Sequence, residues 1–230
     1  MIANEIKKTS YWDEYAKWYR LWREHNSYHE PIKEILLNFV SSETKVLDIG
    51  AGDGVLSFPL IEKGCYVTAV EPSWMMQNYI YENAEKYGFQ IKIDSRRFED
   101  LNISEIGQYD LALACNSLHL TEGGIESALS KIFCSGIKEV FIVTEKVFSL
   151  DEISLLFSDY KLFFNYSYLC ESSFAYHSLD EVFEHWQVKY RRELFNWEKQ
   201  RLLQLISYEK EHFWLKDSAF VNIFYWRRIK

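Results

Sequence analysis

Two short stretches hold the residues whose types and spacing could do chemistry. Residues 46–54 read Val-Leu-Asp-Ile-Gly-Ala-Gly-Asp-Gly, and residues 67–73 read Val-Thr-Ala-Val-Glu-Pro-Ser. Gly50, Gly52 and Gly54 follow an apolar run at alternate positions, so the turn can take positive φ and let a bound molecule lie against bare backbone. A helix starting near Val55 would point its unsatisfied N–H groups at the same place. Glu71 ends the next apolar run, where a carboxylate can accept two hydrogen bonds from a ribose diol. Asp48 sits beside the glycine turn. The chemistry this suits is the holding of a nucleoside at the carboxyl ends of strands. The spacing is G-x-G-x-G; the dinucleotide fingerprint, G-x-G-x-x-G, would need a glycine where the chain has Val55. That disfavours a nicotinamide-dependent oxidoreductase, and G-x-x-x-x-G-K-[ST] is absent as well.

The elements that must position these residues follow from periodicity and breakers. A helix is predicted over 9–25, capped by Thr9 or Ser10, with Trp12, Tyr15, Tyr19 and Trp22 along one stripe. A second follows over 31–39. Strands are expected at 45–49, 65–71, 89–93, 109–115 and 139–144. Between them helices are expected over 54–63, from the Ser73 cap to Tyr87, and over 124–134; Gly64 and Gly88 close the first two. This βαβα alternation implies a doubly wound, mainly parallel sheet. Beyond it the spacing predicts a short helix over 150–157, an extended run over 161–168, helices over 178–192 and 196–214, and a strand over 219–227.

The ordered set of motifs resembles the core of class I S-adenosylmethionine (AdoMet)-dependent methyltransferases of the small-molecule type. The first motif of that family, hydrophobic-L-D-x-G-x-G-x-G, is matched at every named position by 46–54. Glu71-Pro72-Ser73-Trp74-Met75-Met76 matches the second. Arg97-Phe98-Glu99-Asp100-Leu101 and Tyr109 to His119 match the two later ones. The resemblance spans roughly 46–145. It implies an α/β fold with seven strands and helices on both faces, the last strand antiparallel between the fifth and sixth. It further implies one domain over 1–230: a helical cap (1–42), an AdoMet-binding core (43–160), and C-terminal strands (161–230) carrying a helical insertion over 178–214 that shapes the acceptor pocket.

The resemblance also implies site roles. Asp48 would orient the glycine turn and reach the methionine ammonium, directly or through water. Gly50, Ala51 and Gly52 would supply close backbone approach, and Glu71 would take the ribose hydroxyls. Pro72 and Met76 would lie against the adenine, bracketed by Phe98 and Glu99. Asn116, with Ser117, would touch the methionine moiety or the acceptor. Tyr19, or Tyr15, would approach the cofactor if the N-terminal helix folds over as a lid. For Asp48 a turn-capping role, for Met76 core packing, and for the aromatic stripe plain packing on the sheet stay open. The product of transfer would be S-adenosylhomocysteine.

Methyl transfer from a sulfonium is an in-line displacement that needs a base only when the nucleophile arrives protonated. His119, just past the fourth strand, is the candidate catalytic residue; a structural imidazole is the other reading. G-x-S-x-G is absent.

Composition bounds the rest. The 230 residues carry a net charge of −8 and 48% apolar residues. That balance disfavours nucleic acid and anionic membranes as partners and leaves a small-molecule acceptor, with oligomeric state open. The four cysteines are widely spaced, so buried free thiols and no metal site are expected, and the absence of a long apolar run suggests a cytoplasmic chain. Aromatic residues make up 17% of the chain, half of them between Phe157 and Trp226. Two alternatives remain beside the enzyme of small acceptors: an AdoMet-binding regulatory protein without turnover, and a methyltransferase of protein or RNA.

Overall fold

A computed structural model describes residues 2–146 and 156–230, with side chains from residue 11 onward. The helix expected over 150–157 falls almost wholly outside the described residues. The chain groups into two compact units, one of residues 29–168 and 220–230, the other of 1–28 and 169–219.

The first unit holds a seven-stranded sheet. Its strands are β1 (Lys45–Ile49), β2 (Tyr66–Val70), β3 (Lys92–Asp94), β4 (Leu111–Cys115), β5 (Glu139–Thr144), and most of β6 (Tyr160–Glu171) and β10 (Ser218–Arg228). The order across the sheet is β3-β2-β1-β4-β5-β10-β6. The first five strands pair in parallel, and β10 runs antiparallel to β5 with Phe224 opposite Ile142. The helices are α2 (Glu30–Leu37), α3 (Ser57–Glu62), α4 (Trp74–Tyr87), α5 (Ile103–Ile106) and α6 (Gly124–Cys134).

The central strands are largely apolar because both faces are covered. Successive residues point to opposite faces. Leu47, Ile49, Ala112, Ala114, Val140 and Ile142 pack with Leu129, Ile132 and Phe133 of α6, whereas Ala69 packs with Phe58 of α3 and Ile80 and Ala84 of α4. Helix α4 begins and ends as its sequence dictates: the Ser73 side chain accepts from Met76 N, and Gly88 closes it at φ 68°. Strand β3 is shorter than expected, since Phe89 and Ile91 pack beside the Phe58 cluster.

The second unit is built on α1 (Ile2–Glu24), α7 (Leu179–Tyr190) and α8 (Asn196–Leu205), with a three-stranded sheet in the order β7 (Phe174–Tyr176), β9 (His212–Leu215), β8 (Ile206–Glu209). Helix α1 starts well before Thr9, so neither Thr9 nor Ser10 caps it. The helix expected over 196–214 stops at Leu205. From there the chain alternates: Ile206 and Tyr208 face Leu215 and Phe213 across an antiparallel hairpin. Lys210 and Glu211 form its two-residue turn, both at positive φ. Ile206, Phe213 and Leu215 pack against Trp18, Tyr176, Val182, Leu194 and Leu202, a burial that overrides the local helix preference. The deepest large side chain of α1 is Trp18, outside the expected stripe. Beside it His185 is buried between two phenols, Tyr176 Oη at 2.7 Å from Nδ1 and Tyr15 Oη at 2.9 Å from Nε2. Burial drives the imidazole down to about 3, so it stays neutral within an aromatic core.

No described helix is long and apolar enough to cross a membrane.

Candidate functional site

Strand order reverses between β1 and β4, which lie side by side while their neighbours β2 and β5 lead away in opposite directions. Loops leaving the carboxyl ends of such a pair splay apart and open a crevice. The loops after β1, β2 and β4 all lie at this end, because the three strands are parallel and in register: Ile49 pairs with Val70 on one side and Ala114 on the other.

The glycine loop is held by backbone and carboxylate together. Gly50 N and Ala51 N both donate to Val70 O, at 2.8 and 3.2 Å. Gly50, Gly52 and Gly54 take φ of 69°, 59° and 83°, a region costly for residues with a Cβ. A Cβ on Gly50 would stand 2.4 Å from Ser117 Cβ, so the loop after β1 touches the loop after β4 at that point. The Ser117 hydroxyl donates to Ile49 O, fixing the contact.

Two buried carboxylates flank this loop. Glu71 Oε2 accepts from Gly52 N at 2.8 Å and Oε1 accepts from Ser73 N at 2.9 Å. Each oxygen retains acceptor capacity beyond those bonds. Asp48 is 2% exposed and accepts from the Ser57 hydroxyl at 2.6 Å. Burial pushes its carboxyl up to about 6, with the Ser57 hydrogen bond opposing.

That shift has a measurable consequence. The folded state holds the Asp48 proton more tightly than the unfolded state, whose value is near 3.8. The stability contributed is therefore present below the unfolded value and lost as pH rises through about 6. Asp48→Asn is expected to remove a decline on the order of 2–3 kcal/mol across that window in ligand-free protein. Urea unfolding of both proteins from pH 4 to pH 7 would check it; parallel curves would dismiss the carboxyl as the source.

The remaining expected site residues divide by element. Pro72 precedes the α4 cap, half-buried, and Met76 is 2% exposed in the first turns of α4. Asn116 follows β4 at φ 51°, its side chain bridging to Glu145: Nδ2 donates to Glu145 Oε1 at 3.1 Å and Oδ1 accepts from Glu145 N at 3.0 Å. His119 sits on a single helical turn, Leu118–Leu120, after β4. Its Nδ1 is buried with no hydrogen-bond partner among the described residues. Burial and the Lys146 cation lower its pKa, so the ring is neutral near pH 7. Phe98 lies on a turn after β3, its ring packed in the sheet core with the Lys131 ammonium 5.1 Å over it. Glu99 Oε1 accepts from Arg97 at 3.0 Å and also from Glu122 N. Tyr19 belongs to α1 in the other unit, its ring 5.7 Å from Trp22. Sequence reasoning passed over Ser57, whose hydroxyl holds Asp48, and Glu145, whose carboxylate orients Asn116; neither lies within a glycine or acidic motif.

Residues 46–134 match the family model described as a methyltransferase domain. That segment, 46–134, carries the signature of a methyltransferase domain. Solved structures share the fold. The YcgJ protein from Bacillus subtilis superposes with a TM-score of 0.58 over 88% of this chain and 100% of that one, at 13% identity. Coclaurine N-methyltransferase, bound to N-methylheliamine and S-adenosylhomocysteine, gives 0.53 over 86% and 72%, at 16% identity. Magnesium protoporphyrin IX methyltransferase from Synechocystis, with bound AdoMet, gives 0.50 over 85% and 76%, at 13% identity. No curated protein sequence matches the chain.

The donor set of the crevice fits AdoMet, the molecule bound in the magnesium protoporphyrin IX methyltransferase structure. A buried carboxylate whose anion is disfavoured by desolvation gains from an ammonium, and Asp48 is such a group. The methyltransferase loop also leaves bare backbone at Gly50 and Gly52 beside the acceptor oxygens of Glu71.

Proposed function

We propose that the crevice between β1 and β4 binds AdoMet and that the enzyme transfers its methyl group to an oxygen or nitrogen of a small, partly apolar acceptor. The observation that carries this reading is the pairing of two buried carboxylates, Asp48 and Glu71, with a positive-φ glycine loop inside the segment that matches the methyltransferase domain. When bound, the donor supplies an electrophilic methyl group on a sulfonium that is its own leaving group.

The chain's residues then have defined tasks. Asp48 draws the ammonium to the end of β1. Glu71 takes the ribose diol with the acceptor capacity left by Gly52 N and Ser73 N. Gly50, Ala51 and Gly52 let the methionine moiety lie against backbone. Pro72, Met76 and the turn bearing Phe98 and Glu99 flank the adenine, and Asn116 bounds the reacting end. Alignment and exclusion of water supply most of the acceleration in such a displacement. The net charge of −8 favours a small acceptor over a polyanion.

Calorimetric titration with AdoMet and with S-adenosylhomocysteine tests the reading. Micromolar binding of both, followed by transfer of labelled methyl to members of a panel of small amines, phenols and carboxylates, is expected. Failure of both titrations would end it.

His119 is the proposed base for an acceptor that arrives protonated. Its neutral imidazole suits proton removal near pH 7. His119→Ala is expected to lower kcat by about 10²–10⁴ with such an acceptor while leaving AdoMet affinity unchanged. An unaltered kcat would return His119 to a structural role.

A further inference from the structure

We propose that His25, His177 and His212 form a binding site for a divalent transition-metal ion such as Zn²⁺, within the unit of residues 1–28 and 169–219. The inference rests on that unit's own geometry and not on methyl transfer. His177 directly follows β7, and His212 opens β9. The antiparallel register pairs Tyr176 with Phe213 and Phe174 with Leu215, so His177 and His212 are the next opposed pair at the end of the ladder. Directly opposed residues on one face of an antiparallel pair bring their Cβ atoms within about 5 Å. Their ring centres are 5.2 Å apart. His25 arrives from the end of α1, 5.2 Å from His212 and 6.4 Å from His177.

Each imidazole also sets its Nδ1 against an oxygen. His25 Nδ1 donates to Leu21 O at 2.9 Å, and His212 Nδ1 donates to Lys210 O at 2.9 Å. His177 Nδ1 faces Glu181 Oε2 at 3.3 Å, an oxygen that also accepts from His177 N at 2.7 Å. Carbonyl and carboxylate oxygens only accept, so each Nδ1 carries a proton, and a neutral imidazole so held keeps its lone pair on Nε2. A ligating histidine is held in this way, its other nitrogen donating to a carbonyl or carboxylate. The cluster is reachable from solvent, with His177 exposed and the other two half-buried.

In a tetrahedral zinc site, with Zn–N near 2.0–2.1 Å, the centres of two ligating imidazoles lie about 5 Å apart. Two of the three spacings already meet this. As the side chains stand, no group of three or more His, Cys, Asp or Glu among the described residues is placed to hold a metal ion. The His25–His177 spacing must shorten by about 1 Å, which a rotation of either side chain supplies. Three imidazoles leave the fourth position to water. The bound ion would staple the end of α1 to the β8–β9 hairpin and to the end of β7, elements far apart in sequence.

The experiment is a calorimetric titration of the chelator-treated, tag-free full chain with ZnCl₂. One ion per chain with micromolar affinity is expected. His177→Gln and His212→Gln should each weaken binding by more than the roughly 10–100-fold expected for Glu181→Gln, which removes only an orienting partner. Cys134→Ser, at an exposed thiol elsewhere, should bind as the parent does. Trp214 lies 6.2 Å from His25 and 6.5 Å from His212. Cu²⁺ should therefore quench tryptophan fluorescence in the parent and less in Trp214→Phe, a readout that needs no folded variant of the histidines. No saturable Zn²⁺ binding, unchanged affinity in folded His177→Gln and His212→Gln, or loss of binding in Cys134→Ser would each overturn the proposal.

Discussion

Gly50→Ala is expected to abolish measurable AdoMet binding and to lower the unfolding free energy by about 2–5 kcal/mol. Two separate effects add. The backbone at Gly50 stands at φ 69°, where an L residue pays roughly 1–2 kcal/mol. The new methyl would stand 2.4 Å from Ser117 Cβ and 3.0 Å from its Oγ. The Cβ is fixed to its own backbone, and the hydroxyl is held by Ile49 O, so Ser117 cannot rotate out of the way. Overpacking of this kind adds about 1–3 kcal/mol. Moving either loop would open the contact between β1 and β4 that shapes the crevice.

The two effects can be separated. Ser117→Gly removes the obstructing Cβ but leaves the strained φ. In the double variant Gly50→Ala/Ser117→Gly the collision part should be recovered, and the cycle should show a coupling energy of about 1 kcal/mol or more. Gly88→Ala is the control for the backbone effect alone: φ is 68° and nothing lies within 4 Å of the added methyl. It should cost about 1 kcal/mol and leave AdoMet affinity intact. Urea denaturation with parallel calorimetry reads the parent and the four variants. A Gly50→Ala protein as stable as the parent would refute the packing argument.

The sheet was legible because its residues obey one rule at a time. Val46 to Ile49, Val67 to Val70 and Leu111 to Cys115 are short, mostly apolar runs, and Gly50, Pro72 and Asn116 follow them within two residues. Ser73 and Gly88 punctuate α4 with a cap at either end. The parallel pairing followed from the βαβα alternation, and the place of the antiparallel last strand came from family resemblance. The three-stranded sheet was not legible. Residues 196–214 are polar and aromatic in a pattern that suits a helix as well as a hairpin, and Lys210-Glu211 gives no turn signal of the Asn-Gly kind. Only packing of Ile206, Phe213 and Leu215 against Trp18 and Tyr176 decides the case. The same sheet brings His177 opposite His212, so a cluster invisible along the chain followed from an unpredicted register. At the crevice, Asp48 and Glu71 could be read as carboxylates at strand ends. Ser57 could not, because its role depends on where α3 starts relative to β1.

Glu71 carries the second large effect. Glu71→Gln is expected to weaken AdoMet binding by about 1.5–3 kcal/mol, tenfold or more, with the fold retained. In the parent both oxygens already accept, from Gly52 N at 2.8 Å and Ser73 N at 2.9 Å. Glutamine keeps one acceptor and turns an NH₂ group toward the other N–H, so one backbone donor loses its partner. The proposed ribose contact loses its charge at the same time. Binding alone would not separate a loop-holding role from a ribose-binding role, but a cycle with the ligand does. S-Adenosylhomocysteine and its 2′-deoxy counterpart differ only in one hydroxyl. If the carboxylate receives that hydroxyl, removing it should cost affinity in the parent and much less in Glu71→Gln, leaving a coupling energy of about 1 kcal/mol or more. Equal losses in the two proteins would confine Glu71 to holding Gly52 and Ser73 in place, and the ribose would then have to be bound by backbone alone.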